Sequence, residues 1–309
     1  MFQGNHMNNK SVLLCGVLAL LLSALNANAK VSSKEVNKLG KSLTPFGSIK
    51  SGNKNKTIPA WTGGITEVPA GYTGSGMHHI DPFASDDIKF TIDESNYKGF
   101  KKYLTPGQMA MFDSYTKTFK INVYPTHRSH SMPEWVLDNT KKNALTSTLS
   151  KGGVGIVNAF GGIPFPILHG RNEEKALQTM WNHLTRWRGI FITSRSNEIP
   201  VQRDGSYSLI TKQQEVFFNF HNPKGSFKKM KNILFYYLTF NKAPARLAGG
   251  ALLVHETMDQ MKEKRQAWDY NSGQRRVRRA PNLAYDSPIA SSDNTRTADD
   301  TDMYNGAPD

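Results

Sequence analysis

The chain has 309 residues, a formal charge of +14 and 38% hydrophobic residues, enough for one large domain or two small ones with a substantial core. The excess of Lys and Arg favours anionic partners such as nucleic acid, phospholipid headgroups, lipopolysaccharide or acidic polymers. Cys15 is the only cysteine, which excludes a disulfide framework.

Residues 1–6, MFQGNH, precede a natural-looking start at Met7 and are set aside. Residues 7–30, MNNKSVLLCGVLALLLSALNANAK, read as a secretory signal peptide. Lys10 makes the basic n-region, residues 12–22 are an apolar run too short to span a bilayer, and Ala27-Asn28-Ala29 is a small-x-small site. Cleavage is expected between Ala29 and Lys30. A transmembrane anchor is the alternative, but no second apolar segment of about 20 residues supports it. Cys15 follows Leu14 and not the small residue that a lipoprotein signal requires, so lipidation is not expected. The mature chain then lacks cysteine, its expected place is the periplasm, and DNA is not its normal partner.

Residues 30–90 are rich in Gly, Pro, Asn and Lys. Beyond a short helix over residues 33–39 they are expected to form an extended arm whose Pro, Trp and Ile residues hold it to a body; a disordered linker is the alternative. Residues 91–188 are expected to be a helical or mixed segment. Thr105-Pro106-Gly107-Gln108 has the form of a capping box with proline at the first helical position. Asp138 is a candidate cap for a helix closing at Gly152-Gly153, and Asn172 for a helix ending before Gly189. In that last helix Ala176, Leu177, Met180, Trp181, Leu184 and Trp187 share one face, which must be buried. Residues 189–309 change to strands. GIFITSRS, SYSLITKQQEVFFNF, NILFYYLTFN, ARLAGGALLVHE, QAWDYN and QRRVRR are separated by the turns RDG, NPKG, KAP and NSG. Links so short predict an antiparallel meander. NILFYYLTFN is apolar on both faces, so one face can pack on helices while the other lines a cavity or a second layer.

Catalytic and metal-binding motifs give little. KGGVG and FGGIPFPILHG lack the frame of a phosphate loop, and no G-x-S-x-G element occurs. His78-His79 and His127-x-x-His130 are the histidine clusters, too few ligands for zinc without cysteine, and His183 reads as packed. No cofactor, no metal and no enzymatic activity are expected. Basic residues interleaved with aromatics also suit single-stranded nucleic acid, but the export signal argues against it.

Residues 265–288, RQAWDYNSGQRRVRRAPNLAYDSP, place Trp268 and Tyr270 beside Arg275, Arg276, Arg278 and Arg279 across a turn. An even-numbered loop pairs Trp268 with Val277, Asp269 with Arg276 and Tyr270 with Arg275. An odd-numbered one pairs Asp269 with Arg275 and Trp268 with Arg276. The even loop is preferred because it puts Trp and Val on one buried face. Arginines then project from both faces and must reach water, an anionic ligand or carboxylates such as Asp293, Asp299, Asp300 and Asp302.

AWDYNSGQRRVRRAPNLAYDSP and the later DDTDMYNG resemble the W-x-Y-x-P-x-x-R-R-V-R-R pattern and acidic segment of the periplasmic outer-membrane lipoprotein-sorting superfamily. More closely, the chain resembles the bacterial domain-of-unknown-function family thirteen twenty-nine, with LTPFGSIKSGNKNKTIPAWTGG, VYPTHRSHSMPEWV, GGIPFPILHG and WNHLTRWRG as further matching motifs. Ser272 stands where that family tends to have proline. The resemblance implies an α+β fold: a curved antiparallel sheet, an incomplete half-open barrel, with covering helices and a loop-rich arm. It also implies that the chain stops short of the family's usual end. Relatives of that shape hold acyl chains or act beside envelope transporters of hydrophobic molecules.

The reading that follows is a periplasmic carrier for a lipid or acyl-chain ligand, with an envelope transporter or outer-membrane protein as partner and contact with a membrane surface. Phe218, Phe235, Tyr237, Trp268 and Tyr270 are the candidate cavity residues. Arg275, Arg276, Arg278 and Arg279 would form an anion-contacting rim, and Met180, Trp181, Leu184 and Trp187 would present the helix over residues 173–188 as a lid. The alternatives are a non-enzymatic envelope adaptor with a filled core and a hydrolase.

Overall fold

A computed structural model describes residues 31–74, 76–280, 286–289, 292–298 and 300. The signal-peptide reading of residues 7–29, and Asp299 and Asp302, lie outside these residues.

Three local segments precede the main sheet. Helix α1 (Ser33–Val36) opens on a capping box between Ser32 and Glu35. It packs Val31 and Val36 on Ala144 of a later helix. The rest of the arm is irregular but docked through its backbone. Arg128 donates to the carbonyls of Ile49 at 2.7 Å and Lys50 at 3.1 Å, and Trp61 donates Nε1–H to the His130 carbonyl at 2.9 Å. Ile65 N–H donates to the Ser129 carbonyl at 2.8 Å. Gly47 is held at φ +97°, where a Cβ would fall 2.0 Å from the Pro166 carbonyl oxygen, so only glycine permits this approach. The second segment pairs β1 (Phe90–Ile92) with β2 (Ile121–Val123) around α2 (Pro106–Ser114). Thr105 and Gln108 form the expected capping box there, and Phe112 is fully buried with Ile92 and Tyr97.

The third segment contains α3 (Glu134–Thr146), the pair β3 (Thr148–Leu149) and β4 (Ile156–Val157), and α4 (Asn172–Leu184). Two expected caps move. Helix α3 starts after Pro133, which places Asp138 inside it, and it ends at Ser147, well before the glycine pair. In α4 the capping position is Arg171, whose N–H donates to Glu174 Oε2 at 2.8 Å; Asn172 is already helical. Glu174 reaches back to the Arg171 N–H, the half of a capping box that fixes the cap one residue before Asn172.

The strand-rich part forms one six-stranded antiparallel sheet: β5 (Phe191–Glu198), β6 (Ile210–Phe217), β7 (Ile233–Ala243), β8 (Ala251–Thr257), β9 (Gln266–Asn271) and β10 (Arg276–Arg279). Spatial order equals chain order, the meander that the short links predict. The sheet does not close; β5 and β10 are its edges. Register shifts at Thr211/Lys212 and Ile233/Phe235 bend it. The second shift breaks the alternation of β7, so Leu234 and Phe235 both turn to the main core. That core joins Leu234 to Trp181 of α4, Ile156, Phe165, Phe220, Met230 and Met258. Trp181 is anchored further by donating Nε1–H to the Gly153 carbonyl at 3.0 Å.

Candidate functional site

Register fixes which side chains share a face, since alternate residues of a strand point the same way. Across one face run three rows. Arg279, Trp268, Leu253, Leu238, Glu215 and Thr193 form the first. Val277, Tyr270, Ala251, Phe240, Gln213 and Arg195 form the second. Gln266, His255, Tyr236, Phe217 and Phe191 form the third. The middle strands of this face are apolar and half-buried, and the outer strands carry the polar groups.

On it lies a hollow of about 380 Å³, lined by Leu238, Ala251, Leu253, His255, Trp268, Tyr270 and Val277. An aromatic path leads into it. Phe217 stacks near Tyr236, which meets His255 edge-on at 4.7 Å, and His255 meets Trp268 at another 4.7 Å. Such edge contacts order the rings without filling the space above them. Burial holds the His255 pKa below its ordinary value, with Glu263 pulling the other way, so the neutral ring is favoured.

The hollow takes in Trp268 and Tyr270 from the sequence-based set but not Phe218, Phe235 or Tyr237. Tyr237 shares the opposite face with the buried Val254 and Ala267. There burial raises its phenol pKa. Phe235 packs on the main core, and the buried Phe218 lies edge-on to it beneath the Arg188 guanidinium. Leu238, Leu253 and His255 take their place. The signal for Leu238 was its membership, with Tyr236 and Phe240, of the longer apolar face of NILFYYLTFN.

Helix α4 ends at Leu184, and it does not lie over the hollow. Trp181 and Leu184 belong to the packed core, Met180 is half-buried, and Trp187 beyond the helix meets Trp135 and His221 edge-on. Trp181 and Leu184 are taken up by the packed cluster, and no residue of α4 lines the hollow.

The hairpin has an even-numbered loop, residues 272–275, but its pairs are shifted. Val277 faces Tyr270, Arg278 faces Asp269 and Arg279 faces Trp268. Asn271 Oδ1 accepts from Gln274 N–H at 2.9 Å and Arg275 adopts φ +53°, which extends the turn to four residues. Val277 still shares the face of Trp268, yet it is 64% exposed and not buried. Arg276 and Arg278 point to the other face and Arg279 to the hollow face. Arg278 donates to Gln274 Oε1, Asp293 accepts from Gln202, and Asp300 accepts from Thr297. Ser272 donates to the Ala248 carbonyl at 3.0 Å and ties two loops together, a bond proline could not make.

His127 and His130 pack against the arm. His127 pairs with Asp86 at 2.6 Å and stacks on Phe83, while His130 meets Phe46 edge-on. Among the described residues no group of three or more His, Cys, Asp or Glu could hold a metal ion, and no helix is long and apolar enough to cross a membrane.

Residues 91–309 match the model of the family described as Protein of unknown function (DUF1329). The chain belongs to that family. It is 46% identical over 300 residues to an uncharacterized protein of Pseudomonas aeruginosa, covering 97% of this chain and 65% of the relative, so it spans less than two thirds of that protein's length. A crystal structure of a domain provisionally named for outer membrane lipoprotein sorting, from Vibrio parahaemolyticus, is similar over 44% of this chain and 51% of that one. The identity there is 16% and the TM-score 0.32.

Proposed function

We propose that this DUF1329 protein is a periplasmic binding or carrier protein for a lipid-like or lipidated hydrophobic ligand, working with envelope transport machinery. The observation that carries the reading is the hollow bordered by Trp268, Tyr270, Leu253 and Leu238 on a sheet whose other face is already packed. An apolar surface left open gains about 25 cal/mol for each Å² that a ligand covers. Apolar concavities with few polar groups are the usual form of a hydrophobic-ligand site. The signal-like sequence of residues 7–30 supports the periplasm, and a net charge of +14 suits the anionic surfaces of an envelope.

Native mass spectrometry of protein purified from cells, followed by lipid extraction, tests the reading. Lipid is expected with the wild type and not with Leu253→Glu, which sets a carboxylate on the hollow's floor. A folded wild type that carries no lipid and takes up no acyl chain would sink it. The adaptor alternative has the packed cluster beneath α4 in its favour; it predicts that Leu253→Glu changes no lipid content.

A further inference from the structure

The hollow is not electrically symmetrical. Along its central row the apolar trio Trp268, Leu253 and Leu238 is flanked by Arg279 at the β10 edge and by Glu215 on β6. Four strand spacings separate these two positions, roughly 19 Å. Arg195, on the hollow face of β5, gives the far end a cation as well as the carboxylate, so that end carries both signs. Among the described strand residues, the β10 end carries only a cation on this face.

Only one of the four arginines suits a ligand in the hollow. Arg276 and Arg278 point to the opposite face, and Arg278 is engaged by Gln274. Arg275 lies in the turn. Arg279 is exposed, is paired across the strands with Trp268, and makes no ion pair among the described residues. Its guanidinium offers planar donors suited to a carboxylate or phosphate.

Resting on the hydrophobic-ligand reading, we infer that the ligand is an anionic amphiphile lying across the strands. Its headgroup is held by Arg279 and its chain runs over Trp268 and Leu253 toward Leu238. Glu215 disfavours the reverse orientation, so the site selects both charge and direction.

Calorimetric titration with lauroyl lysophosphatidic acid, monolauroylglycerol and glycerol 3-phosphate tests this, since the first two share a chain and differ in the phosphate. The wild type is expected to prefer the phosphate-bearing lipid by about tenfold, the size of one charge-assisted hydrogen-bonded pair. Glycerol 3-phosphate alone is expected to bind far more weakly, which separates a lipid headgroup from a free anion. Arg279→Gln should erase the preference and leave monolauroylglycerol binding unchanged, whereas Arg276→Gln and Arg278→Gln should keep it. Circular dichroism checks that each exposed-edge variant is folded. An undiminished preference in Arg279→Gln, or an equal loss in all three variants, overturns the inference while monolauroylglycerol binding upholds the hollow. Failure of both lipids to bind the wild type overturns the hollow as well.

Discussion

The two faces of the six-stranded sheet are both rich in large side chains, yet they are finished differently. The closed face buries Val254, Ala267 and Thr239, and even Glu256 at 3% exposure. The open face sets Trp268, Tyr236 and Leu253 in half-buried positions with little above them. A buried carboxylate on the closed side is tolerable because Arg265 meets Glu256 at 2.6 Å and Gln260 adds a hydrogen bond at 3.1 Å. Apolar content therefore does not tell which face is the core. The covering elements decide, and what they leave uncovered is available to a ligand.

The contrast breaks hardest on the closed side. Phe220→Ala, at a fully enclosed ring, should cost about 3–5 kcal/mol in urea unfolding. Glu256→Ala should cost a similar ~3–5 kcal/mol, because it removes the carboxylate that pairs with Arg265 in the interior. A loss below about 1 kcal/mol in either would mean that this face is not closed.

Acid supplies the next test. His221 is buried and donates Nε2–H to the Thr185 carbonyl at 3.0 Å. Burial lowers its pKa to about 4, against hydrogen bonds to backbone carbonyls that raise it. The unfolded chain thus binds more protons than the fold between pH 6.5 and about 4. The stability is complete above the upper value and is lost as pH falls through that window, by up to about 3 kcal/mol. His221→Gln should flatten this slope in urea midpoints measured from pH 7 to 4. The smallest effect is expected on the open side, where Leu253→Ala should cost less than about 1 kcal/mol of stability. Its match on the closed side, Leu234→Ala, should cost about 2–5 kcal/mol.

The meander was legible because strand patterns follow one another without a long helix between them, even though residues 199–209 and 218–232 make two of its links longer than the turn motifs suggested, and the capping box at Thr105 because it is a local chemical pattern. The face of β7 was not. Its apolar residues alternate on both sides, and the bulge at Ile233/Phe235 that sends Leu234 and Phe235 together into the core leaves no mark in the sequence. Phe235 and Tyr237 therefore read as cavity residues when the hollow belongs to Leu238. The hairpin pairing turned on whether Asn271 closes the turn or joins it, a choice of one hydrogen bond. The place of α4 was illegible for a different reason. An amphipathic stripe requires burial but does not say against what, and Trp181 found a complete partner surface in Phe165, Phe220 and Met258.

The Arg128 clamp on the arm has a kinetic consequence. Its bonds to Ile49 and Lys50 span 79 and 78 residues, and the Trp61 bond to His130 spans 69. Closing loops of that length is slow, and the arm has few contacts of its own to hold it meanwhile. The arm is thus among the last parts to settle, and Arg128→Ala should leave it open to a protease while the sheet stays intact.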